Sequence, residues 1–127
     1  MCACMDARRA QVYNALFYVN QGVLERRSED RAISLAELGE ELKTLEGPIF
    51  LVGDGSNLTH KTLGEAVPAL VLPPEHRLHQ RAVGVALLAE AKAAAGAPGD
   101  GAALAPNYLR LSQAERERLE KCKMQNA

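Results

Sequence analysis

The sequence has no tryptophan, two phenylalanines and three tyrosines, so aromatics make up 4% of its 127 residues. A chain of that length allows one domain with a modest core, and this one must be largely aliphatic. An excess of either charge is also missing. There are 15 Lys+Arg against 16 Asp+Glu, a net charge of -1. That balance excludes a protein that clamps nucleic acid by charge alone, because such proteins carry a dense basic stripe. The longest uninterrupted apolar stretch lies within Ala82–Ala89, far short of a bilayer span, so no membrane contact is expected. No charged segment leads into an apolar one at the start, and no secretory leader is expected. Cys2, Cys4 and Cys122 form an odd set without the spacing of a disulfide framework. That pattern suits a reducing cytoplasm. With 47% hydrophobic and 24% charged residues, the composition is that of a globular chain, which excludes wholesale disorder.

The start is unusual. Met1-Cys2-Ala3-Cys4-Met5-Asp6 reads as an apolar strand without the loosely held polar residues that open most domains. The expectation is that a further segment precedes it in the intact protein. After residues 2–7 the pair Arg8-Arg9 gives a polar turn. Gln11–Val19 carries apolar side chains on both faces, interrupted by Asn14, as fits an interior strand. Asn20-Gln21-Gly22 is a compact hairpin signal, and the charged run Val23–Ile33 reads as one edge strand protected against further pairing. A three-stranded antiparallel meander is expected.

Crossover units follow. Ser34-Leu35-Ala36-Glu37 is a capping box, with the serine as N-cap and the glutamate three residues on. Leu35, Leu38, Leu42 and Leu45 make a helical stripe that Gly47-Pro48 stops. Ile49–Val52 is a short apolar run of the buried parallel kind, opening into Gly53-Asp54-Gly55-Ser56-Asn57. A weaker helix is expected around Leu58–Ala66, then a strand between Pro68 and Pro74. One long alanine-rich helix is expected from Glu75 to about Ala95. Its second half is apolar nearly all round and needs cover on more than one side. In the chain alone, self-association is expected to cover that helix or the meander. Gly96–Gly101 is a joint, Pro106–Arg110 is extended, and Ser112–Lys123 is a charged tail helix. The tail opens on a second capping box, Ser112–Glu115, and contains a Glu117–Lys121 pair at i,i+4. Residues 1–111 are read as one lobe and 112–127 as a helical tail. The order β-β-β-α-β-α-β-α is that of an α/β, ribonuclease H-like half-domain, the unit duplicated in actin-like ATPases.

Few residues suggest chemistry. Asp6-Ala7-Arg8-Arg9 closes the first strand. It reads either as an acid poised for a metal or phosphate with arginines for anions, or as an aspartate capping its own turn. A two-metal nuclease needs several convergent carboxylates, and only Asp54 and Asp100 stand as isolated further candidates. Gly53-Asp54-Gly55-Ser56 sits between a strand and a helix, where open α/β sheets place ligands. It lacks the lysine of a P-loop and the spacing of a dinucleotide fingerprint, and any tight strand-to-helix turn favours the same residues. His76 and His79 are three apart and His60 is distant, without the pattern of a zinc site. Cys2 and Cys4 point the same way from one strand, as packing thiols do. No catalytic constellation and no metal site are read.

Three segments, in order, resemble one family. Asp6-Ala7-Arg8-Arg9-Ala10-Gln11-Val12-Tyr13 is similar to the DARRxxVY strand–turn–strand of the TsaB (YeaZ) family of bacterial tRNA threonylcarbamoyladenosine synthesis. Leu51-Val52-Gly53-Asp54-Gly55 is similar to its hVGdG segment. Pro106-Asn107-Tyr108-Leu109-Arg110, followed by Ser112–Glu117, resembles its C-terminal P.YLR…A signature. The resemblance implies the second of two ribonuclease H-like lobes, without the first lobe and the helices through which the family pairs. It implies a non-catalytic platform that supports TsaD, the transferase, beside the ATPase TsaE. A homodimer is the other pairing it implies. The older glycoprotease or M22 peptidase label finds no zinc ligands here. Asp6, Arg8, Arg9, Tyr13, Gly53, Asp54, Gly55, Ser56, Tyr108 and Arg110 are the motif residues, with the Asp6–Arg9 turn and Gly53–Ser56 expected to face the interlobe cleft. No cofactor and no direct tRNA contact are expected of this chain, and any ATP or ADP binding would belong to the wider complex. The alternatives are a phosphate- or nucleotide-binding half-domain built on Gly53–Ser56 and, further off, a stand-alone nuclease or metallopeptidase.

Overall fold

A computed structural model describes residues 1–97 and 99–125. The elements are β1 (Cys2–Asp6), β2 (Gln11–Asn20), β3 (Val23–Arg26), β4 (Arg31–Ser34), α1 (Leu35–Leu42), β5 (Ile49–Val52), α2 (Ser56–Leu63), β6 (Leu70–Val71), α3 (Ala82–Ala94) and α4 (Gln113–Gln125). The sheet runs β3-β2-β1-β5-β6, with β4 also paired to β2. Strands β1 and β2 are antiparallel, whereas β5 runs parallel to both β1 and β6. This is the expected meander followed by crossover units, with one strand broken in two.

The core lies on one face of the sheet. Cys2, Cys4, Val12, Leu16, Ile49 and Leu51 project from the strands onto Leu35, Leu38, Leu42 and Leu63 of α1 and α2. Alternation puts Ala3, Met5, Tyr13 and Val52 on the opposite face, which no helix covers as fully. Met5 and Phe50 are each nearly half exposed there. The Asn20–Gly22 signal forms a turn with Gln21 and Gly22 both at positive φ, as a two-residue hairpin with right-handed twist requires. Ser34 caps α1 with both halves of the capping box made.

Four local expectations need correction. The charged run Val23–Ile33 is split, because Leu16 O accepts from both Arg27 N and Ser28 N. Two residues there oppose one, which is a bulge, and Ser28 Oγ accepts from Leu16 N at 2.9 Å to hold it. The helix expected from Glu75 to Ala95 is a 3-10 turn, Glu75–Arg77, then an interruption, then α3. Leu78 is buried and its carbonyl accepts from Gly53 N at 2.5 Å, which holds the segment down before α3 begins. Helix α2 starts at Ser56, two residues before the expected Leu58, and ends at Leu63. In α4 the described contact at Glu117 is with Gln113 Nε2, at 2.8 Å, rather than with Lys121.

Candidate functional site

The three segments that carry the family resemblance meet at one corner of the molecule, beyond the ends of β1 and β5. Asp6 closes β1, and its carboxylate accepts from Arg8 N at 2.7 Å and pairs with the Arg8 guanidinium at 3.3 Å. Arg8, Arg9 and Ala10 all have φ between 55° and 63°, a left-handed run that costs non-glycine residues energy. Backbone bonds from Ala7 N to Gln11 O and from Gln11 N to Arg8 O hold the turn closed. Both arginine side chains face solvent.

The glycine-rich loop packs directly against this turn. Asp54 is exposed, and its Oδ1 accepts from Asp6 N at 3.3 Å. Gly55 N donates to Cys4 O at 3.0 Å, and Gly53 N donates to Leu78 O. A side chain at either glycine would run into the Cys4–Asp6 backbone, so the loop is glycine-rich because two backbones come into contact. A phosphate cradle needs free loop amides, and those of Gly53, Gly55 and Ser56 are engaged within the fold, Ser56 N by Gly53 O. Ser56 is fully buried, with its hydroxyl 3.8 Å from Cys4 Sγ. Thr59, equally buried, donates its hydroxyl to Gly55 O at 2.9 Å.

The third segment closes the corner. Arg110 Nη1 donates to Ala7 O and to Gln11 Oε1, each at 2.9 Å. That clasp joins residues about a hundred positions apart along the chain. Tyr108 is 84% exposed beside it. On the open sheet face a cavity of about 450 Å³ lies between Met5, Tyr13 and Val52 on its floor and His79, Gln80 and Asn107 at its rim.

Two features escaped the sequence reading. Asn14, seen only as an interruption of β2, is 3% exposed and donates to Ala3 O at 2.9 Å while accepting from Arg31. Arg31 in turn pairs with Glu41 of α1 at 2.5 Å. Only the anomaly of a polar residue in an apolar strand signalled this. The Cys2 thiol, hydrogen-bonded to Cys4 and buried, is held protonated far above the ordinary thiol range. Asp100 caps a local turn by accepting from Ala102 N at 2.9 Å. Among the described residues, no three His, Cys, Asp or Glu side chains converge as metal ligands. Nor is any helix there long and apolar enough to cross a membrane.

No family model matches the chain. It is 34% identical, over 117 residues, to the tRNA threonylcarbamoyladenosine biosynthesis protein TsaB of Bacillus subtilis (strain 168), an alignment covering 91% of this chain and 49% of that protein. The chain is similar to TsaB over that stretch. It spans about half the length of the curated relative it matches. A crystal structure of an uncharacterized Pseudomonas aeruginosa protein with similarity to peptidase YEAZ superposes with a TM-score of 0.55 at 20% identity. The superposition covers 86% of this chain and 48% of that one. The fold of the chain is therefore the ribonuclease H-like half-domain expected from its element order.

Proposed function

We propose that this chain is the C-terminal lobe of a TsaB-like subunit and serves tRNA threonylcarbamoyladenosine synthesis in the cytoplasm as a non-catalytic scaffold. In this reading the corner of Asp6–Arg9, Gly53–Ser56 and Tyr108–Arg110 gives the lobe a rigid edge against which a first lobe sits. The subunit so formed supports a TsaD-like transferase, with a TsaE-like ATPase in the cycle. The observation that carries the reading is the 34% identity over 91% of the chain. The engaged amides of the Gly53 loop agree with it, because they favour a structural use of the glycines over the phosphate-binding alternative.

A chimera tests it. The chain replaces the matching half of the Bacillus subtilis protein in cells depleted of their own TsaB, and threonylcarbamoyladenosine in bulk tRNA is measured by mass spectrometry. The expected result is modified tRNA at a level comparable to that given by the parent protein. A chimera that accumulates folded while the nucleoside stays absent would overturn the proposal.

A further inference from the structure

Asp100 is the one aspartate singled out in the sequence that the corner does not use. The chain has four aspartates, and two of them, Asp54 and Asp100, are followed by glycine. An Asp-Gly pair carries its own chemistry. The glycine nitrogen lies one ring closure away from the aspartate carboxyl carbon, and no side chain on the glycine screens it or restrains the turn that closure needs. What the fold does with that nitrogen decides whether the ring closes.

The two pairs are held in opposite ways. Gly55 is buried, and its nitrogen donates to Cys4 O at 3.0 Å. Its carbonyl accepts from Thr59 N at 2.9 Å in the first turn of α2. A Cβ on Gly55 would come within 3.0 Å of the Asp6 nitrogen, so nothing there is free to turn. The Asp54 carboxylate is held by Asp6 N at 3.3 Å. Ring closure at Asp54 would therefore have to break the corner first.

At the second pair both residues are exposed. Asp100 Oδ1 accepts from Ala102 N at 2.9 Å, and Asp100 O accepts from Ala103 N at 3.2 Å. Among the described residues, Gly101 N donates to no acceptor. A Cβ on Gly101 would meet nothing within 4 Å. The pair lies in the connection between α3 and the Arg110 clasp, on exposed chain where local rearrangement costs little.

We infer that Asp100 is a site of isoaspartate formation in the folded chain, and that the corner protects Asp54 from the same reaction. Gly101 N attacks Cγ of the Asp100 carboxylic acid. The N–Cγ bond forms, the Cγ–OH bond breaks, and the hydroxyl leaves as water with the amide proton. Water then opens the resulting cyclic imide at either carbonyl. Cleavage of N–Cγ restores aspartate. Cleavage of the original peptide C–N bond leaves Gly101 joined through Cγ, which is isoaspartate. One water is lost and one regained, and nothing is oxidised or reduced. The main chain now runs through Cβ and Cγ of residue 100, one methylene longer, and the former backbone carbonyl becomes a carboxylate that no longer closes the turn to Ala103.

Ageing the full chain in neutral buffer made with heavy-oxygen water tests this, with mass spectrometric fragmentation that separates isoaspartyl from aspartyl peptides. Isoaspartate and heavy oxygen should accumulate at residue 100 at least about tenfold faster than at residue 54, where each closure waits on opening of the corner. In urea that unfolds the chain the two rates should converge. Gly101→Val, whose branched side chain crowds the nitrogen, should slow the reaction at residue 100 and leave residue 54 unchanged. Equal rates at the two aspartates in the folded chain overturn the inference, as does a folded chain in which residue 100 acquires neither isoaspartate nor heavy oxygen. A difference that persists undiminished in urea overturns the protective role of the corner. These readings use the chain by itself, so the proposed role in tRNA modification stands or falls separately.

Discussion

The Asp54 carboxylate accepts a hydrogen bond from the backbone amide of Asp6 at 3.3 Å, tying a loop after β5 to the turn after β1. Between them Gly55 N reaches Cys4 O at 3.0 Å. Two of the three aspartates that sequence reasoning singled out as possible chemistry are thus occupied with backbone amides at this corner: Asp6 holds Arg8 N, and Asp54 holds Asp6 N.

Gly53 has φ +104°, and a Cβ there would overlap the Cys4 carbonyl. Neither neighbour is a flexible side-chain end that could swing aside. Gly53→Ala is expected to cost about 2 kcal/mol or more, read as a lower midpoint in urea unfolding. Gly84→Ala, in open space inside α3, should leave that midpoint unchanged or raise it slightly. Equal effects at the two positions would contradict the close-contact account.

The left-handed run Arg8–Arg9–Ala10 makes the opposite expectation for its last residue. Ala10 has φ 55° and is exposed, so it contributes strain with no burial to offset it. Ala10→Gly should stabilise the chain by about 1 kcal/mol. A thermal melt moving downward would show that the turn is not strained there.

Asn14 links β1, β2, β4 and α1 through Ala3, Arg31 and Glu41. Asn14→Ala leaves a part-buried carbonyl without its donor and Arg31 without its acceptor, and should cost about 1–3 kcal/mol. Glu41→Gln weakens only the ion pair, whose two side chains are each about one-third exposed, and should cost under about 1 kcal/mol. The ranking of the two variants by chemical denaturation is the check.

Glu37 answers to pH. The Ser34 hydroxyl, then the Ser34 backbone amide, holds its carboxyl below the ordinary value of 4.5. A depressed folded-state value means that the cap supports α1 at neutral pH and is lost as pH falls through that value. An NMR titration should place Glu37 low in the parent chain and closer to its ordinary value in Ser34→Ala, which loses the hydroxyl and keeps the amide. Identical titrations in both would contradict the capping box as the cause.

Local rules read much of this fold from sequence. The hairpin at Asn20–Gly22, the caps at Ser34 and Ser112, and the buried run Ile49–Val52 each depend on neighbours within a few residues. What was missed depends on partners far along the chain. The bulge at Arg27–Ser28 is set by Leu16 on the adjacent strand. The break before α3 is set by Gly53, twenty-five residues from Leu78. At the corner, motif spacing named Asp6, Gly53 and Arg110. That Arg110 clasps the Ala7–Gln11 turn was invisible, because spacing along a chain carries no record of which segments meet. The apolarity of α3 was legible, whereas the open sheet face emerged only with the strand order.

The scaffold reading rests on Asp6 and Asp54 being structural, and that is directly measurable. In the chimera with the matching half of the Bacillus subtilis protein, reconstituted with its TsaD and TsaE, the rate of threonylcarbamoyladenosine formation per assembled complex is measured for the parent and for Asp54→Asn. The account expects the same rate once the amount of folded, assembled subunit is equalised, with any loss confined to the thermal midpoint. A fully assembled, equally stable Asp54→Asn complex whose rate falls a hundredfold would contradict it.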